Sequence, residues 1–281
     1  MRSRESFYEK LEAKSRQLRK TLFQTCVKAG TGHVTSSCSC IEILVALFHG
    51  DILNYDPANP KWEKRDRFIL SKGQASPAFY TVLADCGFFG RQNLGGFAQA
   101  NGKFGVHLQM SVPGAEITAG SLGHGFGIAA GIALGAKLNR ELFMTYALLG
   151  DGECYEGSIW ETAMFAGHNR LNNLVAIVDR NALCVTDFTE NIVALEPFED
   201  KWESFGWDAV RVDGHDFSQL VPVLEEARAR KSTRPLAVIA DTVKGKGIKS
   251  LCYQPLWHGL VPKGRDEKTA RTCLEKECGN E

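Results

Sequence analysis

Residues 145–157 read Thr-Tyr-Ala-Leu-Leu-Gly-Asp-Gly-Glu-Cys-Tyr-Glu-Gly, an apolar strand from Met144 to Leu149 that runs into Asp151 and then into a helix beginning near Glu156. A strand without polar alternation is one buried on both faces, the pattern of a parallel sheet covered by helices on each side. In such α/β folds ligands sit beyond the carboxyl ends of the strands, where Asp151 falls. Gly150 and Gly152 carry no Cβ, so a diphosphate can approach the backbone, and the amides opening the next helix face the same anion.

The second half of the pattern comes thirty residues later, where the strand Leu-Val-Ala-Ile-Val-Asp (174–179) ends in Arg180, Asn181, Ala182 and Leu183. Were the two strands neighbours, the Asp151 carboxylate, the Asn181 amide oxygen and the Leu183 carbonyl would form a hard-oxygen set suited to Mg2+ bridging two phosphates. Each half alone is explained by a strand-to-turn break and a turn cap. The pair at this spacing points to a diphosphate and a metal.

Working outward, residues Glu5 to Ala29 lack proline and glycine and space Leu11, Leu18, Leu22 and Cys26 for one helical face. Gly30, Thr31 and Gly32 end that helix, and a second is expected over Cys40–Phe48. Asp-Pro-Ala-Asn-Pro (56–60) opens a turn-rich connector to a short strand, Arg67–Leu70, after which Ser-Lys-Gly-Gln-Ala-Ser-Pro (71–77) reads as a loop. A small-residue helix begins at Gly123. Beyond the central motif, helix Gly157–His168, strand Leu174–Val178, helix Phe198–Phe205, strand Ala209–Val212, helix Phe217–Arg228 and strand Leu236–Ala240 alternate cleanly. The expected fold is therefore α/β, a parallel sheet flanked by helices on both faces, as one domain over 1–281 with a loosely ordered charged tail from about Gly264.

Composition narrows the partners. The 281 residues hold 33 basic and 33 acidic side chains, a balance that argues against nucleic acid or an anionic membrane as the ligand. The N-terminus is charged, with no apolar signal core, and no run approaches a membrane span, so the cytoplasm is the expected location. Nine cysteines, odd in number and without paired CxxC spacing, read as reduced thiols, and Cys38 and Cys40 as small packing residues.

With these blocks in place, the chain resembles the N-terminal subunit of split, two-component transketolases. The resemblance runs through Gly-Thr-Gly-His-Val at Gly30, Arg-Asp-Arg-Phe-Ile-Leu-Ser-Lys-Gly at Arg65, the segment from Pro113 to Gly125, the Asp151 and Asn181 motifs, and the segment 195–207. It continues through Val-Asp-Gly-His-Asp at Val212, Thr-Val-Lys-Gly-Lys-Gly at Thr242 and Trp-His-Gly ending at Gly259. It implies the thiamine diphosphate-binding fold, with thiamine diphosphate and Mg2+ as cofactors. Asp151, Asn181 and the Leu183 carbonyl would bind the metal, Gly152 the diphosphate, and Gly120 and Leu122 the aminopyrimidine region through backbone. The implied reaction is reversible transfer of a two-carbon ketol unit from a ketose to an aldose. The glutamate that activates the cofactor, on a pyrimidine-binding domain, would come from a C-terminal subunit in an α2β2 assembly.

The same resemblance places His33, Gln74, His107 and His258 near the thiazolium and the sugar as the polar lining, with His258 also at the cofactor. Gln74 is a departure, because the family usually has histidine after Ser-Lys-Gly, and glutamine can hydrogen-bond but cannot shuttle a proton near neutral pH. Leu108 after His107, and Val34 and Thr35 after His33, depart as well, so the sugar is expected to be unusual. Glu156 joins the catalytic and cofactor-binding set; with Glu161 it falls at the family's subunit contact, against the plainer reading of a helix-start glutamate. His124, His168 and His215 are read as structural, His215 as orienting a turn, and Lys244 and Lys246 as shaping a connector near the cofactor. Two competing readings are the α subunit of a 2-oxoacid dehydrogenase or decarboxylase, which shares the Asp151-to-Asn181 motif, and a silent regulatory partner. The sugar-facing histidines oppose the first; the intact Asp151 and Asn181 oppose the second.

Overall fold

The computed structural model describes residues 2–278, which build a five-stranded sheet and its covering helices. In chain order these are α1 (Arg2–Ala29), α2 (Val34–Cys38), α3 (Ile41–His49), β1 (Arg67–Leu70), α4 (Ser76–Asp85), α5 (His124–Leu138), β2 (Thr145–Gly150) and α6 (Gly157–His168). They continue as β3 (Leu174–Arg180), α7 (Thr189–Ile192), α8 (Phe198–Ser204), β4 (Asp208–Asp213), α9 (Phe217–Ala229), β5 (Leu236–Asp241) and α10 (Arg265–Cys278). All strand pairs are parallel, in the order β1-β2-β3-β5-β4. Successive strand residues point to opposite faces, and all seven residues of β3 are buried, so the sheet is covered on both sides.

β2 and β3 are neighbours, as the motif requires, and Gly150 lies opposite Asp179 in their register. The next residues of each strand, Asp151 and Asn181, thus leave the same edge of the sheet. On α1, Leu11, Leu18, Leu22 and Cys26 are all buried. Behind the motif an aromatic cluster fixes α5, α6 and α8. Trp202 packs against Trp207, Trp160 and Phe126 with ring centroids 5.0, 5.5 and 5.8 Å apart, and the Trp207 indole N–H donates to the Ala163 carbonyl at 2.8 Å. Gly167 is required here, since a Cβ would overlap the Phe205 carbonyl oxygen.

Two segments differ from the sequence expectation. The stretch 71–77 is not an extended loop. Gly73–Ala75 forms a 3-10 turn and Ser76 opens α4, with Pro77 in the first turn where its missing N–H costs nothing. α4 was hidden because nine of its ten residues are buried, leaving no polar face to give a 3.6-residue period. Of the segment from Gly264, expected to be loosely ordered, Arg265–Cys278 is α10, which packs against α1 with Ala270 and Leu274 buried, and 279–281 lie outside the described residues. Its high charge masks a narrow apolar stripe. Cys38 and Cys40 are fully buried, and burial pushes the Cys40 thiol up to about 12, so both pack as small hydrophobes. Among the described residues no helix is long and apolar enough to cross a membrane.

Candidate functional site

The carboxyl ends of β2, β3 and β5 open on a pocket lined by Ser36, Lys72, Gln74, Leu122, Asp151 and Asn181, with the Leu183, Cys184, Lys244 and His258 segments closing its sides. Its floor is a set of interlocked bonds. Asp151 is buried; its Oδ1 accepts the Gly152 N–H at 2.8 Å, and its Oδ2 accepts the Ala182 N–H at 2.6 Å and an Arg180 Nη1–H at 3.1 Å. Ala182 holds the left-handed φ of 61°, a conformation that costs a residue with a Cβ on the order of 1 kcal/mol or more. The Asp151 bond keeps it there. That kink brings Asn181 and Leu183 to the same side, with the Leu183 N–H donating to Asn181 Oδ1 at 3.2 Å.

Burial, and then the neighbouring Asp179, raise the Asp151 pKa, while Arg180 only partly opposes them. A buried carboxylate held in excess of its partners gains from an added cation. The Asp151 carboxylate, Asn181 amide and Leu183 carbonyl are hard-oxygen donors of the kind magnesium takes, so these residues fit the metal. Gly150 and Gly152 leave the floor open; a Cβ at Gly150 would meet nothing closer than 3.9 Å.

Three further features shape the pocket. Lys72 and Asp179 form a buried ion pair; Lys72 Nζ also donates to the Ser36 carbonyl at 3.1 Å, and Asp179 accepts from the Ser39 and Thr242 hydroxyls. Burial alone would depress the Lys72 pKa, but Asp179 beside it holds it above the ordinary value. Glu153, buried, accepts from the Ser71 hydroxyl and from the Gly123 and Gly150 N–H groups at 2.5, 2.9 and 3.0 Å. Lys244 donates to the Leu183 carbonyl at 3.1 Å and lies 3.0 Å from His258 Nδ1; burial, and then Lys72, lower its pKa to about 8. From sequence, Lys244 is expected only near the cofactor, and Asp179 and Glu153 carry no signal beyond that of a carboxylate beside a strand end.

The histidines expected around the sugar do converge. His33 stands 5.4 Å from His107 and 5.5 Å from His258 between ring centroids, although the three come from widely separated parts of the chain. His107 is set by the Tyr80 hydroxyl, which donates to its carbonyl at 3.1 Å, and a Cβ on Gly120 would touch its ring at 3.5 Å. Burial, and then neighbouring rings and lysines, lower His33 and His258 to about 4, so both are neutral near pH 7. His33 Nδ1 and Gln74 Oε1 are buried without a hydrogen-bond partner, two polar atoms that a bound hydroxyl-rich ligand could satisfy. Glu156 and Glu161 are exposed and stand apart from the pocket floor, Glu156 at the start of α6 without capping it. His124 and His168 are exposed, at the first residue of α5 and the last of α6.

Set beside known proteins, residues 12–275 match the model of the transketolase, thiamine diphosphate binding domain family. The chain is 37% identical over 269 residues to one of the subunits of the apulose-4-phosphate transketolase of Phocaeicola vulgatus, covering 95% of each. It is 40% identical over 268 residues to the 6-deoxy-6-sulfo-D-fructose transketolase subunit SqwG of a Clostridium species, covering 95% of this chain and 97% of that one. The crystal structure of transketolase from Campylobacter jejuni superposes with a TM-score of 0.88 at 30% identity, over 95% of this chain but 42% of that one.

Proposed function

Because the chain belongs to the transketolase family through its thiamine diphosphate-binding domain, we propose that residues 1–281, as one domain, form the diphosphate- and metal-holding half of a two-carbon ketol transferase. The other half, a pyrimidine-binding domain on a C-terminal subunit, completes the site in an α2β2 assembly in the cytoplasm. In support, the chain spans nearly the full length of the two subunit relatives but 42% of the C. jejuni transketolase. Exposed apolar side chains also lie in the chain beside the pocket-lining residues, Val185, Phe188, Ile192 and Val193 from Cys184 onward and Leu256 and Leu260 around His258, as a surface for a partner. Glu156 and Glu161, both exposed, are assigned to that contact, where Glu156 would reach the catalytic assembly through the partner.

Asp151, Asn181 and the Leu183 carbonyl would hold Mg2+, with Gly152 at the diphosphate and Gly120 and Leu122 at the aminopyrimidine. When bound, thiamine diphosphate supplies the carbanion chemistry that moves the two-carbon unit. The chain's own part is to position and to handle protons. His33, His107 and His258 receive and return hydroxyl protons of the sugar at their free ring nitrogens, and Gln74 fixes one hydroxyl by its amide. The observation that carries this reading is the convergence of neutral His33 and His258 with unpartnered Gln74 Oε1 above a cation-seeking Asp151. Neutral imidazoles at His33 and His258 suit the hydroxyl end of a ketose, and on that ground we prefer the ketol transferase to the dehydrogenase reading.

The named substrates of the two subunit relatives, apulose 4-phosphate and a 6-sulfo sugar, both bear a terminal anion. We place the anion-recognising groups of this enzyme on the partner, and the expected substrate is a ketose outside the common pentose phosphates. The test is reconstitution. The purified chain alone should transfer no ketol unit at any thiamine diphosphate concentration, and its cognate subunit should restore transfer; robust activity of the chain by itself would refute the split site.

A further inference from the structure

One buried network reaches the pocket from behind. His215, in the Val-Asp-Gly-His-Asp turn after β4, accepts the Val243 N–H at its Nε2 at 2.8 Å. An Nε2 that accepts must be unprotonated, so the proton sits on Nδ1, which lies 3.0 Å from Glu42 Oε2 and donates to it. The other Glu42 oxygen pairs with Arg19, and Arg19 Nη1 donates to Glu277 Oε1 of α10 at 2.8 Å. Arg19 is fully buried, Glu42 nearly so, and only 8% of the His215 side chain is accessible. Burial would raise the Glu42 pKa, but Arg19 and His215 outweigh it and lower it to about 2. Val243 precedes Lys244, whose ammonium contacts the Leu183 carbonyl and His258. The same turn is packed on the network directly, since a Cβ on Gly247 would overlap Arg19 Cδ and Glu277 Oε2.

We propose that His215 is a positioning residue for the cofactor pocket: held by Glu42 as the Nδ1–H tautomer, it anchors the Val243 amide and thereby keeps Lys244 against the Leu183 carbonyl and His258. The inference rests on the reading of the pocket as a thiamine diphosphate and magnesium site. It gives the turn a consequence, because an acceptor some distance from any ligand sets how well the metal carbonyl and the lysine beside it are ordered. Outer partners of this kind change metal affinity by about 10- to 100-fold when lost.

Two substitutions separate the ring's two bonds in the assembled enzyme. H215N offers its amide near Nδ1, keeping the Glu42 bond and losing the Val243 anchor; H215Q places an amide oxygen near Nε2 and restores the anchor. Hydrogen exchange of the peptide 241–248 reads the anchor, and calorimetry with magnesium and thiamine diphosphate reads affinity. H215N should lose exchange protection and weaken binding by about tenfold, with H215Q recovering most of both. Unchanged affinity in H215N, or equal losses in the two variants, overturns the proposal while leaving the pocket reading standing. A wild-type assembly that does not bind the pair removes both. Because H215N could fail to assemble, 15N-histidine spectra of the wild type give a second arm: a His215 ring protonated at Nε2 overturns the proposal without any variant.

Discussion

Lys72→Met should be among the most damaging single changes in the pocket wall, and the structure sets its size. The Lys72 and Asp179 side chains are 6% and 0% accessible, so removing the ammonium leaves a buried carboxylate with only the Ser39 and Thr242 hydroxyls as donors. Stripping one partner from a buried ion pair costs about 3–5 kcal/mol, because the remaining charge has neither water nor a counter-charge. For a chain of this size each kcal/mol moves Tm by roughly 2–4 °C, which gives a drop of about 6–20 °C. The decisive comparison is the double variant Lys72→Met, Asp179→Asn, in which the stranded charge is gone. It should be less destabilised than the sum of the two single variants by about 2 kcal/mol or more, as expected for residues in direct contact. Urea unfolding followed by tryptophan fluorescence supplies the free energies. A Lys72→Met variant within about 1 kcal/mol of wild type, or additive single and double values, would refute the argument that an uncompensated Asp179 is the source of the loss.

Asp151→Ala should weaken magnesium-dependent thiamine diphosphate binding in the assembled enzyme by about 100-fold or more, ~2.7 kcal/mol, because a direct charged ligand exceeds the effect of an outer partner. Calorimetry checks it, and an unchanged magnesium-dependent affinity removes the metal assignment. Gln74→His should change the ratio of kcat/KM among a panel of ketose donors and aldehyde acceptors, as expected if its amide fixes one sugar hydroxyl as proposed. A uniform factor across all substrates counts against a specificity role. For pH, His33 and His258 fall from an ordinary 6.5 to about 4 in the folded chain. The unfolded chain therefore takes up protons first, and stability falls as pH drops from about 6.5 to about 4, then levels off. His33→Gln with His258→Gln should flatten that part of the urea-midpoint profile; an unaltered slope would show that the imidazoles are not its source.

The sheet was legible because its strands are short apolar runs whose ends carry polar residues of unusual type. Their positions fall within a residue or two of the structure, and β2 and β3 are adjacent as the Asp151 and Asn181 spacing requires. α4 was not legible, since a helix buried on all sides loses the polar stripe by which helices are recognised. α10 failed in the opposite way, with charge around most of its surface and burial concentrated at Ala270 and Leu274. In the pocket, the histidines entered through family resemblance, and the structure adds their convergence and the neutrality of His33 and His258. Lys72, Asp179 and Glu153 were missed because their significance lies in partners far along the chain, such as Ser36 for Lys72, 36 residues away, and Lys72 for Asp179, 107 away. No local pattern encodes such pairs.

Glu153 ties the ends of β1 and β2 to the start of α5 through one carboxylate. A shift of any one of those three segments would break a bond to the buried Glu153, whereas no hydrogen bond joins Gln74 or His107 to that carboxylate. On the proposed assignment, changes of sugar can therefore be explored one residue at a time along the rim, while the floor that would hold the diphosphate and metal stays as it was. If the proposed roles hold, a scaffold divided in this way would pass from one ketose to another without passing through a form that has lost its cofactor.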